Sequence, residues 1–560
     1  MVPFRHFFSV FWSDCQKYCI YLQHFITKAT LIIKYKSMNL KHLMACGMVV
    51  VAALTLASCA KPKQKLHLVP AAQSTGNDPD AHFVIVYQEP VQKIVRKGKI
   101  AVYESSTDKL VDEIDLSIPP YPEEKRQKDV NEHYLTKPYD YSRTHTPTNR
   151  DTKPGTPSAP DAEDDLGTYQ TTIIGGFTDG FHFDPIMVED SIVVIQMHHN
   201  VLEYGHHYYI TVDPGIIVQA DGSSPGISKS DKWEFSTRGN GPVLDKGILR
   251  VSRYGDKDFR SIQEAIDYVP DSMTTPITIE VGPGNYHEIV YFRNKTNLTI
   301  RGVDRDQVRI FYENCDNRNP HPRRVVANEQ KGSFPFRRAV FSVDNCADIT
   351  LENLTIENTS NGEMGQGEAL ISQSERLVVR NCNLKSMQRA AACNGTTYFQ
   401  DCTLEGGFDV VLSMGPNFYY RCKFINSGGP FIWPRNEKDK RGLVFLECTF
   451  LGNLARLSDY GRTNSLTSRK FPYAEMVLIN CREKYISPTG WSVIGSKDNF
   501  FAEYNTRYFE NGNLVDTDSR HPYVHKLDPV RDAALVKNYA TATWVLGGWN
   551  PTENRSIQGD

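Results

Sequence analysis

The chain lacks an excess of basic residues: among its 560 residues, 63 Lys and Arg stand against 66 Asp and Glu. Nucleic-acid-binding proteins usually carry a strong basic excess, so this balance argues against that class. Glycine and proline are not enriched either, at 38 and 31 residues, which excludes a collagen-like or linker-dominated chain. Hydrophobic residues make up 40% of the sequence, enough for a large core, and the length favours about two to four domains.

Cysteines at metal-binding spacing are also missing. None of the 12 cysteines stands in a C-x-x-C pair, which disfavours zinc and redox motifs, and we expect neither a metal nor a cofactor. The eight that begin at Cys315 lie at the ends of apolar stretches, where buried thiols pack as small hydrophobic side chains. The pairs His198-His199 and His206-His207 are interpreted as surface histidines on alternating strands, not as metal ligands.

No uninterrupted apolar stretch has the length of a spanning helix with its flanks, but one segment comes close. A short basic start at Met38 precedes an apolar run over 43–58 that ends in small residues, the pattern of a secretory signal. Its ending, Leu-Ala-Ser-Cys, resembles a bacterial lipobox and implies a lipid on Cys59. We therefore predict an upstream extension and signal peptide over 1–58 and a tether over 59–80. The protein is expected to be an exported bacterial lipoprotein at the outer membrane or cell surface.

Short strand-like runs bounded by turn residues predict a β-sandwich over 81–238. They lie at 82–87, 99–103, 173–174, 192–195 and 208–212. A polar, proline-rich stretch over 119–165 interrupts them, and we expect it to be a disordered insertion. The opening over 98–115 and the closing over 208–237 resemble the Ig-like domains found beside bacterial surface enzymes.

From about residue 247 the sequence repeats internally. Cys382, Cys402 and Cys422 are spaced 20 residues apart, each ending an apolar strand and preceding a second one, and similar units end at Cys448 and Cys481. A single unit cannot bury its inward face, so the units must stack on one another. The sequence therefore predicts an all-β protein, a right-handed parallel β-helix over 247–551 preceded by the sandwich.

Five segments within the predicted β-helix resemble the pectin methylesterase (pectinesterase) family in their order and spacing. They are residues 259–266, 284–288, 486–491, 501–504 and 549–551. The resemblance implies breakdown or modification of plant-type polyuronate, with pectin as the partner and no nucleic acid. Extended polymers suit this fold because side chains at the same height on successive coils meet along one groove.

The family's catalytic motifs map onto this sequence with several departures, among them the lost glycine of "DFIFG". Its two glutamines correspond to Gln366 and Gln388, and its "DFIFG" aspartate to Asp409. The resemblance implies Asp409 as the nucleophile and the two glutamines as oxyanion donors. The arginine of "GRPW" is matched to Arg469, which is expected to hold Asp409.

Arg456 is the alternative to Arg469, and both Arg456 and Phe471, in the tryptophan place of that motif, are candidate substrate contacts. Trp433 and Phe471 either stack on sugar rings or only cover the flank of the helix.

Arg389 stands where the family has its acid, an aspartate. An arginine stays protonated, so it cannot give and retake a proton, but it can stabilise an oxyanion or bind a uronate carboxylate. General acid–base catalysis contributes about 10²–10⁴ in rate. The leading interpretation is a pectin methyl ester hydrolase, and the alternative is a catalytically impaired polysaccharide-binding relative. A β-helix polysaccharide lyase is less favoured, since no acidic calcium-binding cluster surrounds Asp409 in the sequence.

Overall fold

The computed structural model describes residues 66–80, 82–122, 169–176, 180–255, 257–319, 336–462, 471–492 and 494–552. The predicted signal peptide, the lipidation site Cys59, most of the proline-rich insertion and Arg469 lie outside these ranges. In the described part, no helix is long and apolar enough to cross a membrane.

Two main sheets, rich in antiparallel pairs, and two smaller sheets form the described N-terminal region. Its strands are β1 (His67–Val69), β2 (Ser74–Asn77), β3 (Phe83–Val86), β4 (Val91–Ile94), β5 (Lys99–Glu104), β6 (Leu110–Asp115), β7 (Thr171–Thr172), β8 (Phe181–His182), β9 (Ile186–Glu189), β10 (Ile192–Ile195), β11 (His207–Val212), β12 (Ile217–Gln219) and β13 (Glu234–Thr237). One main sheet has the order β1-β3-β10-β9 and the other β2-β13-β11-β5-β6, and the two-stranded sheets are β4-β12 and β7-β8. Between the main sheets lies one apolar core that includes Ile85, Val102 and Trp233.

The prediction of a tether over 59–80 is wrong for its described part. Strand β1 pairs antiparallel with β3, and β2 pairs with β13, so residues 67–77 belong to the sandwich. Pro70 also accepts a hydrogen bond of 2.9 Å from the indole nitrogen of the fully buried Trp233. The short, polar strand β2 lacks the alternation by which strands are recognised in a sequence. The strand predicted at 173–174 lies two residues earlier in the structure, as β7 (Thr171–Thr172).

The histidine pair His198-His199 is buried, contrary to the surface position expected for it. His198 Nδ1 lies 2.8 Å from Asp112, and His199 lies between Asp80 and Asp267. Buried histidines are tolerated when carboxylates pair with them, which a sequence pattern does not reveal. His206 is half-exposed, as expected.

Beyond the sandwich, parallel strands wind into the predicted β-helix. They are β14 (Ile248–Val251), β15 (Ile277–Val281), β16 (Gly284–His287), β17 (Val290–Arg293), β18 (Thr296–Gly302), β19 (Val308–Tyr312), β20 (Phe341–Glu352), β21 (Thr355–Asn358), β22 (Glu368–Arg380), β23 (Asn383–Ser386), β24 (Arg389–Asn394), β25 (Thr397–Gln400), β26 (Thr403–Gly406), β27 (Val411–Ser413), β28 (Asn417–Tyr420), β29 (Lys423–Asn426), β30 (Pro430–Pro434), β31 (Leu443–Leu446), β32 (Thr449–Leu451), β33 (Asp459–Gly461), β34 (Glu475–Ile479), β35 (Arg482–Lys484), β36 (Phe500–Tyr504), β37 (Arg507–Tyr508) and β38 (Val524–Lys526).

Three faces of parallel strands run along this β-helix. The long strands β20 and β22 each contribute their first half to one face and their second half to another. Face A joins β17, the first halves of β20 and β22, then β24, β27, β30 and β33. Face B carries β14, β15, β18, the second halves of β20 and β22, β25, β28, β31, β34, β36 and β38. Face C runs from β16 through β19, β21, β23, β26, β29, β32 and β35 to β37.

The interior is filled by the laddered side chains that the repeat predicted. Cys382, Cys402 and Cys422 are buried at the same turn of successive coils, and Cys402 contacts both of the others. Phe399 and Tyr419 stack with ring centroids 4.7 Å apart. Stacking of like residues at one height is what lets each coil bury its inward face on the next.

Short helices complete the structure. Helix α1 (Ile262–Tyr268) begins at Ser261, whose hydroxyl accepts a hydrogen bond from the Glu264 amide. Helices α2 (Ala533–Tyr539) and α3 (Ala542–Val545) pack on the outer side of face B, against residues such as Val378 and Phe418. Within the described ranges, 3₁₀ turns lie at Lys229–Asp231, Leu244–Lys246 and Phe336–Arg338.

Candidate active site

The predicted catalytic residues meet where the strands of face A begin. Glu368, at the start of β22, is in register with Arg389, at the start of β24. On the following coil, Ala391 of β24 is in register with Val411 of β27. Arg389 and Asp409 each lie two residues before this pair, so they are neighbours. Side chains from three successive coils therefore share one height.

Asp409 occupies the turn before β27, where hydrogen bonds hold both its backbone and its side chain. Its backbone has φ of 48°, a left-handed conformation that is uncommon for residues other than glycine and that concentrates at functional sites. The Asp409 amide donates to the carbonyl of Pro430 at 2.9 Å. Its carboxylate is fully buried and accepts two hydrogen bonds from Arg462, from Nε at 2.9 Å and from Nη2 at 2.7 Å. Such a two-point pair fixes the orientation of the carboxylate.

Gln366 is oriented by Arg389. The Arg389 Nη1 atom donates to Gln366 Oε1 at 3.0 Å and to Glu368 Oε1 at 3.1 Å, while Nη2 lies 3.9 Å from Asp409 Oδ2. A guanidinium group only donates, so the oxygen of the Gln366 amide must face Arg389. The amide nitrogen is then turned away from Arg389 and is available to donate to another group.

Glu368 is the second carboxylate of the site, and two arginines bind it. Arg338 donates to its two oxygens at 2.8 and 2.6 Å, and Arg389 completes the set. Burial alone would raise the pKa of Glu368, but the charges of Arg338 and Arg389 and their hydrogen bonds outweigh it and lower the pKa. Glu368 is therefore ionised at neutral pH.

Arg435 adds a fourth guanidinium group to the site. Burial, together with the neighbouring charge of Arg389, lowers its pKa to about 9. We refer to Arg338, Arg389, Arg435 and Arg462 as the arginine cluster. The cluster holds four cationic side chains against the carboxylates Glu368 and Asp409, so an anionic ligand is favoured beside it.

Aromatic rings support the cluster. The guanidinium carbon of Arg435 lies 3.8 Å from the Trp433 ring centroid, and that of Arg462 lies 4.5 Å from the same ring and 4.8 Å from that of Phe408. Trp433 thus positions cations, and Phe408, which is 39% exposed, offers ring surface to a ligand. Phe471 is 7% exposed within the hydrophobic core, so the expectation that it contacts substrate is wrong.

The remaining predicted residues lie around this centre. Gln388 is half-buried directly before Arg389, and its backbone N–H donates a hydrogen bond to the Ser386 hydroxyl at 3.1 Å. Arg456 is exposed and its side chain lies over Gly428, and among the described residues no hydrogen bond or ion pair joins it to Asp409. Arg469, the arginine expected to hold Asp409, lies outside the described residues.

Arg462 makes the pairing with Asp409 that is expected of Arg469. The pair Gly461-Arg462 keeps the first two letters of the family motif "GRPW", and this signal is sufficient to find it. The residues that follow Arg462 differ from Pro-Trp, which weakens the match at this position. Glu368 had no motif to identify it, because only the coiling of the chain brings it against Arg389.

The arrangement has the parts for attack on an ester: an oriented carboxylate, an amide donor and a concentration of positive charge. Within the described ranges, no group of three or more His, Cys, Asp or Glu residues is arranged to hold a metal ion.

Comparison with known proteins finds relatives of this chain. A family model described as Pectinesterase matches residues 249–547. Pectinesterase 31 of Arabidopsis thaliana is 28% identical over 213 residues, covering 37% of this chain and 65% of that protein. The pectinesterase of Petunia integrifolia is 23% identical over 312 residues, covering 52% of this chain and 79% of its own. The structure of pectin methylesterase from carrot is similar at 18% identity, with a TM-score of 0.43, and covers 54% of this chain and 93% of its own.

Proposed function

The chain belongs to the pectinesterase family, and on this premise we propose that it hydrolyses methyl esters of a pectin-type polyuronate. Asp409 is the nucleophile, Arg462 holds it, and Gln366 and Gln388 donate to the oxyanion. The observation that carries the proposal is the two-point pair between Arg462 and Asp409, beside an amide whose orientation Arg389 fixes.

Each part has a chemical reason. The guanidinium group of Arg462 holds the Asp409 carboxylate in one orientation, so one of its oxygens can attack the ester carbon. Negative charge then develops on the carbonyl oxygen, where the Gln366 amide nitrogen and Gln388 can donate. Removing one such donor typically costs about 10²–10³ in rate. The positive charge of Arg389, 3.9 Å from Asp409, also favours the developing anion.

Departure of the alcohol is the weak step of this site. The alcohol needs a proton, and Arg389 stands where the family supplies an acid. Glu368 is no substitute, because two arginines keep it ionised. Loss of general acid catalysis predicts methanol release about 10²–10⁴ slower than with an acid in place.

A second function, binding of de-esterified polyuronate without turnover, is supported by the burial of Asp409. Its carboxylate has no exposed surface, and Arg462 covers it with a side chain that is 20% exposed. An ester reaches Asp409 only if neighbouring side chains move. The arginine cluster attracts uronate carboxylates whether or not this happens, and that attraction should weaken as salt rises.

Two measurements on the same polymer test the proposal. Methanol release from methyl-esterified pectin is measured for the wild type and for Asp409→Asn, and a pull-down on de-esterified polyuronate is run at low and high salt. We expect slow release by the wild type, none above background by Asp409→Asn, and salt-sensitive binding by both. Equal, background-level release by both proteins with retained binding would reject the esterase and support the binding function.

We also propose that the protein is exported and anchored by a lipid on Cys59. The support is the sequence pattern over 38–59, a basic start, an apolar run and the Leu-Ala-Ser-Cys ending. A lipid anchor would hold the enzyme at a membrane surface, where it would meet polysaccharide from outside the cell.

A further inference from the structure

A positively charged residue, Arg389, occupies the position at which the family has its acid. Arg389 and Glu368 are registered neighbours on adjacent coils, and Arg389 contacts Gln366, Glu368 and Asp409 at 3.0, 3.1 and 3.9 Å. With its side chain 6% exposed, Arg389 is a buried cation directly beside the carboxylate that attacks. The site therefore offers charge where an acid would offer a proton.

The groups that touch these side chains supply no exchangeable acid. Among the described residues, Asp409 accepts hydrogen bonds from Arg462 alone, apart from its contact with Arg389. Glu368 is bound by Arg338 and Arg389 and is ionised. Arg338, Arg389 and Arg462, which make these contacts, keep their protons under ordinary conditions. Among the described residues in contact with the carboxylates of Asp409 and Glu368, none is then an acid for the departing alcohol, and water serves as the proton source.

We propose that Arg389 makes this site selective for polyuronate esters whose alcohol departs as a stable anion, such as halogenated alkyl or phenolic esters, over methyl esters. This inference rests on the proposed esterase function. The guanidinium of Arg389 stabilises the departing oxygen by its charge, and a more acidic alcohol needs less help. An acid at the same position would level these differences by protonating every leaving group.

The reaction balances without any other reactant than water. The Asp409 carboxylate forms a bond to the ester carbon, and the bond from that carbon to the alkoxy oxygen breaks. The alkoxide takes a proton from water and leaves as the alcohol. The resulting hydroxide hydrolyses the anhydride to uronate and regenerates Asp409, which releases one proton to solvent. The sum is ester and water giving uronate, alcohol and a proton.

The test uses polygalacturonate carrying methyl, 2-chloroethyl or 2,2,2-trifluoroethyl esters, whose alcohols are progressively more acidic. Initial rates of alcohol release by the full chain are corrected for release by Asp409→Asn. We expect the wild-type rate to rise steeply from methyl to trifluoroethyl. Arg389→Asp, which restores an acid, should accelerate the methyl ester most, by up to about 10²–10⁴, and flatten the series.

Arg389→Gln is the matched control, because it removes the charge without supplying an acid and keeps the amide contact to Gln366 feasible. We expect it to be slower than the wild type on all three esters while the series stays steep. A flat wild-type series, or an Arg389→Asp protein that is slower on the methyl ester and equally steep, would overturn the inference. If the wild type releases no alcohol from any ester above the Asp409→Asn background, the proposed esterase function itself fails. Thermal unfolding confirms that each variant is folded.

Discussion

Replacing His199 by glutamine should weaken the attachment of the sandwich to the β-helix in a pH-dependent way. His199 Nδ1 lies 2.8 Å from Asp80, in the loop after β2 of the sandwich, and Nε2 lies 2.6 Å from Asp267, in helix α1 of the β-helix. The imidazole is 9% exposed and bridges the two carboxylates. Glutamine cannot carry a charge, so it leaves two like charges facing each other.

The size of the effect follows from the pKa of the bridge. Burial alone would lower the pKa of His199, but the carboxylates of Asp80 and Asp267 outweigh it and raise the pKa from 6.5 to about 10. At about 1.4 kcal/mol per pKa unit, the stabilisation is at most about 5 kcal/mol. Removing one partner of a buried ion pair typically costs about 3–5 kcal/mol. We therefore expect a loss of a few kcal/mol.

The sign of the pH dependence is fixed by the direction of the shift. Because the folded pKa of His199 is raised, its stabilisation is fully present below pH 6.5 and is lost as pH rises through about 10. The free energy of unfolding of the wild type and of His199→Gln should differ most near pH 5.5 and converge toward pH 10.5. Taking the difference between the two proteins cancels the titration of shared groups that do not interact with His199. Glu288 does interact with it, and burial raises the pKa of Glu288 to about 7, so it contributes to the difference near that pH.

Denaturant unfolding at four pH values between 5.5 and 10.5 measures this difference. His206→Gln serves as the control, since His206 pairs with Glu104 at a half-exposed position and should change stability by less than about 0.5 kcal/mol. A difference between wild type and His199→Gln that stays constant with pH, or that is no larger than that of the control, would refute the assignment of a charged His199 bridging the two carboxylates.

Three further outcomes are expected. Arg462→Lys should lower ester hydrolysis about 10–100-fold, measured as methanol release, because lysine cannot make both hydrogen bonds to Asp409; unchanged release would contradict the pairing. Arg520→Met should lower the free energy of unfolding by about 3–5 kcal/mol, because it leaves the buried carboxylates of Glu483 and Glu503 without their shared partner. An unchanged free energy of unfolding would show that the ion pairs of Arg520 are dispensable for stability. Cys59→Ser should leave the protein unprocessed or free of the membrane fraction, as fractionation and mass would reveal, and unchanged values of both would rule out the anchor.

Much of the fold could be read from local patterns. The cysteine-ended strands at regular spacing predict the coils, because each coil must bury its inward face on the next and so repeats the same side chains. The structure confirms this for Cys382, Cys402 and Cys422, which lie at one turn of successive coils. Strand β2, in contrast, is four residues of mixed polarity, and only its pairing with β13 makes it part of the sandwich.

For the site, the candidate residues that lie within one coil could be predicted from the sequence. Asp409, Gln366, Gln388 and the unusual Arg389 are predicted from the resemblance to the family's motifs, since each is matched within a single strand and its preceding turn. Their partners depend on how the coils stack in three dimensions. Arg462 is separated from Asp409 by 53 residues and reaches it because β33 follows β30 and β27 on face A. Glu368 contacts Arg389 because β22 and β24 pair in that register, and the register depends on the number of residues in each turn of the β-helix. Turn lengths vary from coil to coil, and so the contacts between coils are set by packing and not by distance along the chain.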